Sequence, residues 1–582
     1  MSRRNLQHLL YPEMTHLLLL LITLFPLSLQ VSLLEQLHWI DDPVPVCDRS
    51  NSNNSHVYCN STLLIAVNFH ELYNDSKTFV DMPMKNDPDY VLEKFKEQFG
   101  TQSIESIDRA KLKDFVDEHF SPPGSELVPC TPEDWDPQPP KLVAIVDPKL
   151  REWALSLNGA WRNLCKRINP DIENNTSRSS LIHLPNNFIM PGGRFREIYY
   201  WDAYWIIKGL IACDMYKTAR AMIENLASLV ERFGFVPNGG RVYYLQRSQP
   251  PLLAGMVYEY YEVTKDKDFI TKMIPILEKE MDFWNTNRMT TVEINGETHA
   301  VYLYNSRSNL PRPEAYTQDL KNAQKAHYKP QYWQGLASAA ESGWDFSTRW
   351  FSDRKEIFAV DTKNVLPVDL NAFMCWNFDI LTYLYERIDD PIKSEFYRER
   401  RAKFRKTVHK VFYNQTAGSW FDFNLRTGKH NQAFYPSIAV PLFTGCYNTL
   451  NQGKSERLFR LMKHIGVFEY PGGIPTSMVT SSEEQWDFPN GFSPLNHMVV
   501  EGLRKSHNAQ MQDEGYQLAK KWIMGNYKVW KETNHMWEKY NVIGDYPKPG
   551  SGGEYDVQDG FGWTNGAILD LLVTYNHRLH VD

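Results

Sequence analysis

The sequence predicts an all-α protein, from the spacing of its apolar residues and the scarcity of strand patterns. Apolar side chains recur every three or four positions over residues 153–168, 219–233 and 568–575, which keeps them on one face of a helix. Gly234 follows the second stretch, at the position where glycine commonly ends a helix. Sustained alternation typical of strands is scarce, with Arg241–Leu245 as a short exception. A scaffold of amphipathic helices is therefore expected.

The residues that carry chemistry fall between these helices. Stretches rich in Gly, Pro and Asn cover residues 237–240, 310–313, 489–491 and 549–553. Loops on a rigid scaffold are a common location for binding residues. Because no Gly/Ser linker divides residues 63–576, we expect this range to form one domain with its function in the loops. The segments outside it are interpreted as a polar leader linker over residues 35–62 and a C-terminal tail over residues 577–582.

The N-terminus has the pattern of a secretory signal. Two arginines precede an apolar run from Leu17 to Leu29, and residues 1–34 are assigned to a signal peptide and its flank. A membrane anchor needs roughly 20 uninterrupted apolar residues, whereas Pro26 and Ser28 interrupt this run. An uncleaved anchor remains the alternative, because no small-residue cleavage site is visible. The C-terminus lacks the apolar tail of a lipid-anchor signal, so secretion is expected.

Sequons for N-linked glycosylation support secretion. They begin at Asn53, Asn60, Asn74, Asn174, Asn175 and Asn414. Because sequons also arise by chance, the cluster between residues 53 and 76 carries more weight than any single one. We expect an extracellular, N-glycosylated protein.

Composition excludes several kinds of partner. The 582-residue chain has a net charge of −7 with both signs interspersed, so nucleic acid and anionic membrane surfaces are not expected partners. Aromatic residues form 13% of the chain, with 17 Trp and 31 Tyr. Such an excess indicates surfaces for stacking against a ligand, and an aromatic-rich core is the alternative. The oligomeric state is left open.

The cysteines predict neither a disulfide scaffold nor a metal site. There are seven, which is too few for a scaffold. Cys47 and Cys59 lie in a polar segment and could close a short loop. Cys165, Cys213 and Cys375 lie among apolar residues and are interpreted as buried thiols. No CxxC, HExxH or His/Cys cluster occurs, so neither a metal nor another cofactor is expected.

Two segments mix aromatic residues with charged ones. They are Pro191–Tyr204, which also carries arginines, and Gln485–Pro494. Flat rings can lie against the C–H patches of a sugar, while Arg and Asp bind its hydroxyls in charge-assisted hydrogen bonds. The two segments therefore predict a pocket for a neutral molecule covered with hydroxyls.

Three carboxylates outside these segments are candidates for catalysis or binding. Asp345 lies between Trp344 and Phe346, and an apolar wall of this kind raises the pKa of a carboxyl group. Glu538 also follows an aromatic residue, and Glu554 follows a glycine-rich stretch. The alternatives are a helix-capping role for Asp345 and a surface ion pair for Glu538.

Three arginines lie in comparable loops. Arg194 follows two glycines, Arg247 lies between glutamine and serine, and Arg312 lies between two prolines. An exposed arginine is ordinarily a solvated charge. Three of them in such loops are better interpreted as clamps for sugar hydroxyls, because the planar guanidinium loses little entropy per bond formed.

A pair of carboxylates with aromatic residues and arginines fits cleavage of a glycosidic bond. One carboxyl group protonates the leaving oxygen, and the other activates water or attacks the sugar. The chain resembles the trehalase family from Lys77–Pro83 to Phe561–Asn565, and the two mixed segments resemble the family's two signatures. The second signature usually carries Trp at the position of Phe492, a departure that puts local packing or sugar affinity in question.

The resemblance implies a fold, a reaction and a set of site residues. The fold is an (α/α)6 barrel with active-site loops at one end, and the reaction is hydrolysis of α,α-trehalose to two glucoses with inversion. Asp345 would be the general acid and Glu538 the general base. Sugar contacts would come from Arg194, Trp201, Asp202, Asn238, Arg247, Ser248, Gln249, Arg312, Pro313, Glu314, Gly343 and Glu554. Another α-glucosidase on the same helical ring and a catalytically inactive sugar-binding protein are the alternatives.

Overall fold

The computed structural model, which describes residues 42–450, 452–544 and 548–581, is a closed ring of helix pairs. Six inner helices contact each other in chain order, and the sixth contacts the first. They are Asp202–Ala212, Leu253–Thr264, Val368–Arg387, Val440–Thr444, Ser493–Arg504 and Gly562–Thr574. An outer helix precedes each of them: Pro148–Leu164, Tyr216–Phe233, Lys267–Asn287, Pro391–Phe412, Gly453–Ile465 and Ala509–Thr533. This confirms the all-α ring.

The two layers differ in sequence as their positions require. The inner helix Asp202–Ala212 is buried on every side except at Lys208, whose ammonium group pairs with Glu259 and Asp570 on the two neighbouring inner helices. The outer helix Tyr216–Phe233 instead buries one apolar stripe and presents charged residues to solvent. It ends before Gly234, which has a left-handed φ of 85°.

Two glycines allow the ring to close. The first and last inner helices approach each other at Gly209 and Gly566. A Cβ atom at Gly566 would lie 1.9 Å from the carbonyl oxygen of Trp205, and one at Gly209 would lie 2.5 Å from the Cα of Gly566. Larger residues at these positions would force the two helices apart.

The connections between the helices carry short elements. The strands form small antiparallel sheets: Leu127–Pro129, Cys165–Ile168 and Phe188–Ile189; Val365–Leu366, Phe423–Asn424 and Lys429–His430; Asn490–Phe492, Lys539–Asn541 and Lys548–Pro549; Met289–Ile294 and Glu297–Tyr302; Tyr413–Asn414 and Ser419–Trp420. Further helices are Ser55–Tyr58, Thr62–Phe69, Lys77–Val80, Pro88–Phe99, Arg109–His119, Pro140–Val143, Pro170–Glu173, Tyr316–Asn322 and Lys329–Glu341. The 3-10 turns are Ile104–Ser106, Thr176–Arg178, Val242–Tyr244, Pro313–Ala315, Ala323–Lys325, Thr348–Trp350, Ile357–Ala359, Thr362–Asn364 and Pro436–Ala439.

Two local predictions are wrong. Arg241–Leu245 is not a strand, because its centre, Val242–Tyr244, is a 3-10 turn. Ile168 does not continue the helix that contains Trp153, since the helix ends at Leu164 and Cys165–Ile168 pairs with its neighbours as a strand. In both places long-range contacts decide the local conformation.

The interpretation of the cysteines is wrong for two residues. Cys165 is bonded to Cys130, and Cys375 is bonded to Cys446, so neither is a free thiol. The partners lie 35 and 71 residues away in the chain, which explains why the sequence did not reveal the pairs.

The remaining two cysteine predictions are confirmed. Cys47 and Cys59 form a disulfide across 12 residues, and Cys213 is a buried free cysteine.

The leader linker is packed against the connecting segments of the chain over its described part. Val57 and Tyr58 are fully buried in the core, and the backbone of Val44 bonds to the side chain of Asn309. The predicted signal peptide, residues 1–34, lies outside the described residues. Within the described part of the chain, no helix is both long and apolar enough to cross a membrane.

Candidate active site

One cavity of about 240 Å³ brings together the predicted site residues, with the exception of Ser248 and Pro313. It opens at the end of the ring where inner helices begin, since Asp202 is the first residue of one inner helix and Trp563 the second of another. The predicted residues that line it are Arg194, Trp201, Asp202, Asn238, Arg247, Gln249, Arg312, Glu314, Gly343, Asp345, Glu538 and Glu554. The cavity is therefore the candidate active site.

The loop that carries Asp345 is fixed by close packing. It follows the helix Lys329–Glu341 and turns at Gly343, whose φ is 79°. A Cβ atom there would lie 2.7 Å from the ring of Trp201, so only glycine fits. Trp344 stacks on Trp486 at 5.5 Å between ring centroids.

The second mixed segment holds this loop by hydrogen bonds. Gln485 donates a bond of 2.5 Å to the backbone oxygen of Asp345. Asp487 accepts bonds from the hydroxyl groups of Ser347 and Thr348 and from the backbone N–H of Thr348. The segments 342–348 and 485–487 therefore form one unit, although they are far apart in the sequence.

Asp345 has the surroundings of a proton donor. Burial raises the pKa of its carboxyl group to about 7, and the negative charge of Glu554 acts in the same direction. The positive charges of Arg312 and Arg247 lower it only in part. Among the described residues, no side chain donates a hydrogen bond to this carboxyl group. It can therefore keep a proton near neutral pH.

Glu538 has surroundings that favour the ionised form more strongly. Tyr555 donates a hydrogen bond of 2.7 Å to its Oε1 atom, and the backbone N–H of Gln558 lies 3.5 Å from its Oε2 atom. Burial raises its pKa, but the charge of Lys539 and the bond from Tyr555 oppose that rise. The carboxylate is thus held in a fixed orientation by two donors.

Asp202 is a third buried carboxyl group in the cavity. Its pKa is raised well above the ordinary value, first by burial and then by the charges of Glu538 and Asp345. The influence of both charges indicates that the three carboxyl groups are close together. Asp202 is therefore suited to donate a hydrogen bond to a ligand as a neutral acid.

Arg312 links the cavity to the core behind it. Its Nε and Nη2 atoms bind Asp319 at 3.0 and 2.6 Å, and Nη2 also binds Glu554 at 2.7 Å. Its guanidinium group lies over the ring of Phe346 at 4.9 Å. This arrangement fixes both Arg312 and the carboxylate of Glu554.

The other two arginines are also paired. Arg194 makes two bonds of 2.8 Å to Asp75, and Arg247 binds Glu314 at 2.5 Å and Asn238 at 3.2 Å. All three predicted arginines are thus oriented before any ligand binds. An oriented guanidinium group loses less entropy on binding than a mobile one.

Three residues singled out from the sequence lie behind the cavity wall. The hydroxyl of Ser248 donates to the backbone of Val236, and Pro313 begins a buried 3-10 turn. Phe492 stacks on Trp486 with centroids 3.7 Å apart. Phe492 therefore supports a ring that lines the cavity and does not line it itself.

Several further lining residues are not among the predicted site residues, although Tyr199 and Trp486 lie within the two mixed segments. Asp75, Tyr199, Tyr244, Trp486 and Tyr555 all line the cavity. Tyr555 directly follows Glu554, so the Gly-Gly-Glu-Tyr run was an available signal. Asp75 gave no comparable signal, because its partner Arg194 lies 119 residues away.

Comparisons with known proteins show which proteins this chain is similar to. A family model described as Trehalase matches residues 71–576. The chain is 40% identical to the trehalase of Apis mellifera over 537 residues, which is 90% of this chain and 85% of that protein. It is 40% identical to the trehalase of Homo sapiens over 530 residues, 90% of each chain. The solved structure of the neutral trehalase from Saccharomyces cerevisiae is similar in fold, with a TM-score of 0.54 at 20% identity over 67% of this chain and 74% of that one.

Proposed function

The chain belongs to the trehalase family, and we propose that it hydrolyses α,α-trehalose to two glucoses with inversion, using Asp345 as general acid and Glu538 as general base. The observation that carries the assignment of roles is the difference between the two carboxyl groups in one cavity. Burial and Glu554 raise the pKa of Asp345 to about 7, whereas the rise that burial causes in the pKa of Glu538 is opposed by the charge of Lys539 and the hydrogen bond from Tyr555. A proton donor and a proton acceptor are thus available together.

The proposed reaction is a single displacement. Asp345 gives its proton to the glycosidic oxygen as the bond from that oxygen to the anomeric carbon breaks. Glu538 takes a proton from a water molecule, whose oxygen attacks that carbon from the opposite face. This requires the two carboxyl groups to be roughly 6.5–9.5 Å apart in the complex, so that the water fits between them.

The rest of the cavity supports a sugar substrate. The rings of Trp201 and Trp486 provide flat apolar faces, while Arg247, Arg312 and Asp202 provide hydrogen-bonding groups. Buried polar groups of this kind reject a ligand that lacks matching hydroxyls, because they would be left unpaired. We assign the predicted lining residues to the recognition of the two glucose rings.

We also propose that the protein is secreted and N-glycosylated. Asn53, Asn60, Asn74 and Asn174 have exposed side chains, which supports their use as acceptors. Asn414 is a poor acceptor by comparison, because its side-chain oxygen binds the backbone of Thr416 and Ala417. Expression in a eukaryotic secretory host tests this proposal. The protein should appear in the medium and become smaller after enzymatic removal of N-linked sugars, whereas retention in the membrane fraction would favour an uncleaved anchor.

Glucose release from trehalose tests the proposed function, with maltose as the control substrate. We expect release from trehalose alone. Comparable release from maltose would indicate a broader α-glucosidase, and binding without release would indicate an inactive sugar-binding protein.

The stereochemistry is tested separately by proton NMR in the first minutes of the reaction. Trehalose joins two α-anomeric carbons, so inversion at one of them yields equal amounts of α- and β-glucose. An early product that is wholly α would show retention and a covalent intermediate. That result would contradict the proposed role of Glu538, but trehalose would still be the substrate.

A further inference from the structure

A second cavity, which we call the basic cavity, lies on the outer surface of the ring. It has a volume of about 290 Å³ and lies beside the outer helices Pro391–Phe412 and Gly453–Ile465. Its lining consists of Arg405, Lys406, His409, Lys410, Trp420, Cys446, Tyr447, Asn448 and Lys454. None of these described residues also lines the candidate active site.

The charge of the basic cavity is unbalanced. Four cationic side chains and one histidine line it, and no carboxylate is among the described lining residues. The chain as a whole has a net charge of −7, so this concentration of cations is local. Two carboxylates lie near the lining residues: the exposed Glu297, 3.8 Å from Lys410, and Asp379, which interacts with the charge of Arg405 but is paired with Arg401 at 3.1 Å. Solvated surface lysines could explain the exposed Lys406 and Lys410, but Arg405 and Lys454 are half-buried.

Lys454 is a partly buried cation of the basic cavity for which the structure shows no carboxylate partner among the described residues. Its ammonium group has three donors, and its described contacts are the ring nitrogen Nε2 of His409 at 3.3 Å and the ring of Tyr413 at 5.3 Å. Burial lowers the pKa of Lys454, and the charge of Arg405 lowers it further. A partly buried charge without a counter-ion is costly. An anion in the cavity would remove this cost.

His409 is neutral in this setting and acts as an acceptor. Burial lowers its pKa, as do the positive charges of Lys454 and Lys410. Its Nε2 atom lies 3.3 Å from the ammonium nitrogen of Lys454 and 3.4 Å from the amide nitrogen of Gln415, so it can accept a hydrogen bond from either donor. The remaining N–H groups of Lys454 are left for a ligand.

The walls of the basic cavity are held in place by the fold. Cys446 is bonded to Cys375 on an inner helix, which ties the loop after Thr444 to the ring. Lys454 is the second residue of the 13-residue outer helix Gly453–Ile465, whose N-cap Gln452 makes no side-chain capping bond. The positive end of the helix dipole lies at this first turn and favours an anion.

We propose that the basic cavity is a binding site for a tetrahedral oxyanion, a phosphate or sulfate group. Arg405 supplies a forked donor, Lys454 supplies a point charge, and Lys406 and Lys410 add positive charge at the rim. A cavity of this volume exceeds a single oxyanion, and Tyr447 gives it one apolar wall. The group can therefore be free or can be carried as an ester by a small organic molecule.

Isothermal titration calorimetry in a phosphate-free buffer tests the proposal. The probes are inorganic phosphate, sulfate and phenyl phosphate, titrated into the full-length glycoprotein. We expect saturable binding at one site. Equal affinity for phosphate and phenyl phosphate identifies the free anion as the ligand, whereas about tenfold tighter binding of the ester identifies a phosphate monoester, because its ring adds apolar burial.

Paired variants locate the site. Arg405→Gln/Lys454→Gln should weaken binding by about tenfold or more, since two charge-assisted donors are lost. The control Lys272→Gln/Lys403→Gln removes the same charge from exposed positions outside the cavity and should bind like the wild type. If the first double variant does not fold, Lys406→Gln at the exposed rim should still weaken binding measurably.

The proposal is wrong if the wild type shows no saturable binding, or if both double variants weaken binding equally, which would indicate diffuse attraction. Trehalose hydrolysis should be unchanged in all of these variants, because none of the substituted residues lines the candidate active site. Loss of anion binding with intact hydrolysis separates this proposal from the proposed function.

Discussion

This protein contains two groups of Asp and Glu side chains away from solvent, and the charges around the two groups differ. In the core, the carboxylates of Asp81, Glu126 and Glu197 surround Arg241 and Lys77. Their closest ion-pair distances are 2.6 to 2.8 Å, and all five side chains are fully or almost fully buried. We call this group the structural cluster. Each of its carboxylates is in contact with a cation.

In the candidate active site, Asp202 and Glu538 are buried and Asp345 is part-exposed, and these carboxyl groups are not matched by cations in the same way. Burial opposes ionisation of Asp81 as well, yet Arg241 and Lys77 outweigh burial and lower its pKa. For Asp345, burial and Glu554 outweigh the arginines, and the pKa rises to about 7. Glu126 differs from Asp81, because burial raises its pKa in spite of its contact with Arg241. The comparison of Asp81 with Asp345 therefore teaches that the balance between burial and nearby cations decides whether a buried carboxyl group is ionised.

The largest effect is expected when the proposed general acid and general base are replaced. Asp345→Asn and Glu538→Gln keep the volume of the side chain but remove the transferable proton or its acceptor. Each should lower kcat by about 10²–10⁴-fold, with the helical circular dichroism of the wild type. Near-wild-type turnover would contradict the proposed role of that residue. Loss of the helical signal would instead show that the residue is needed for folding.

The structural cluster should respond in the opposite way. Arg241→Met leaves Asp81, Glu126 and Glu197 without their common partner and should lower the free energy of unfolding by about 3–5 kcal/mol. Urea denaturation followed by circular dichroism measures this. As a control, Arg460→Met at an exposed position should change it by less than about 0.5 kcal/mol. A small effect of Arg241→Met would mean that Lys77 and Arg196, the other cations in contact with the cluster, are enough to stabilise it.

The sequence predicted local structure where local interactions decide it. The helix Tyr216–Phe233 and its end before Gly234 follow from apolar spacing and a capping glycine. The segment Arg241–Leu245 was mistaken for a strand, because its residues alternate while the side chain of Arg241 is held by Glu126 and Glu197. Those partners lie 115 and 44 residues away, beyond the reach of any local pattern.

The candidate site shows the same limit. The two mixed segments and their resemblance to a family indicated which residues would meet in one cavity. They did not indicate that Arg194 would be bound by Asp75, or that Tyr555 would donate to Glu538. The roles of the site residues stay predictions, which the variants described here address.

Arg312 contacts one carboxylate in the core and one in the cavity, and its replacement should lower activity less than replacement of Asp345 or Glu538. It binds Asp319, on the core side, and Glu554, in the cavity. In Arg312→Lys one ammonium group cannot reproduce both contacts, so kcat/KM for trehalose should fall about 10- to 100-fold, as expected for the loss of a charged hydrogen bond. Steady-state kinetics measure the fall.

The control for Arg312 is Arg178→Lys, at an exposed ion pair with Asp87, which should leave kcat/KM unchanged. Unchanged kinetics in Arg312→Lys itself would show that the contact of the guanidinium group with Glu554 is not needed for activity. Arg312 would then have a structural role, as Arg241 has.

The smallest expected effect, and the most specific, comes from removing one hydroxyl group. Tyr555 donates to the Oε1 atom of Glu538 and thereby stabilises the carboxylate, so Tyr555→Phe should raise the pKa of Glu538. The general base must be ionised, and a higher pKa means that it stays protonated to a higher pH. The acid limb of the pH profile of kcat/KM should therefore move to higher pH, with about a five- to tenfold loss on that limb for a hydrogen bond of about 1 kcal/mol.

The basic limb provides an internal reference for this variant. Asp345 must be protonated, so activity should fall as the pH rises through its pKa of about 7, with or without the hydroxyl of Tyr555. Tyr397→Phe is the matched control, because Tyr397 donates an equally short bond of 2.7 Å to Glu278, outside the cavity. It should move neither limb. If Tyr555→Phe lowers kcat at every pH without moving the acid limb, the hydroxyl serves packing alone, and the orientation of Glu538 must come from Gln558 instead.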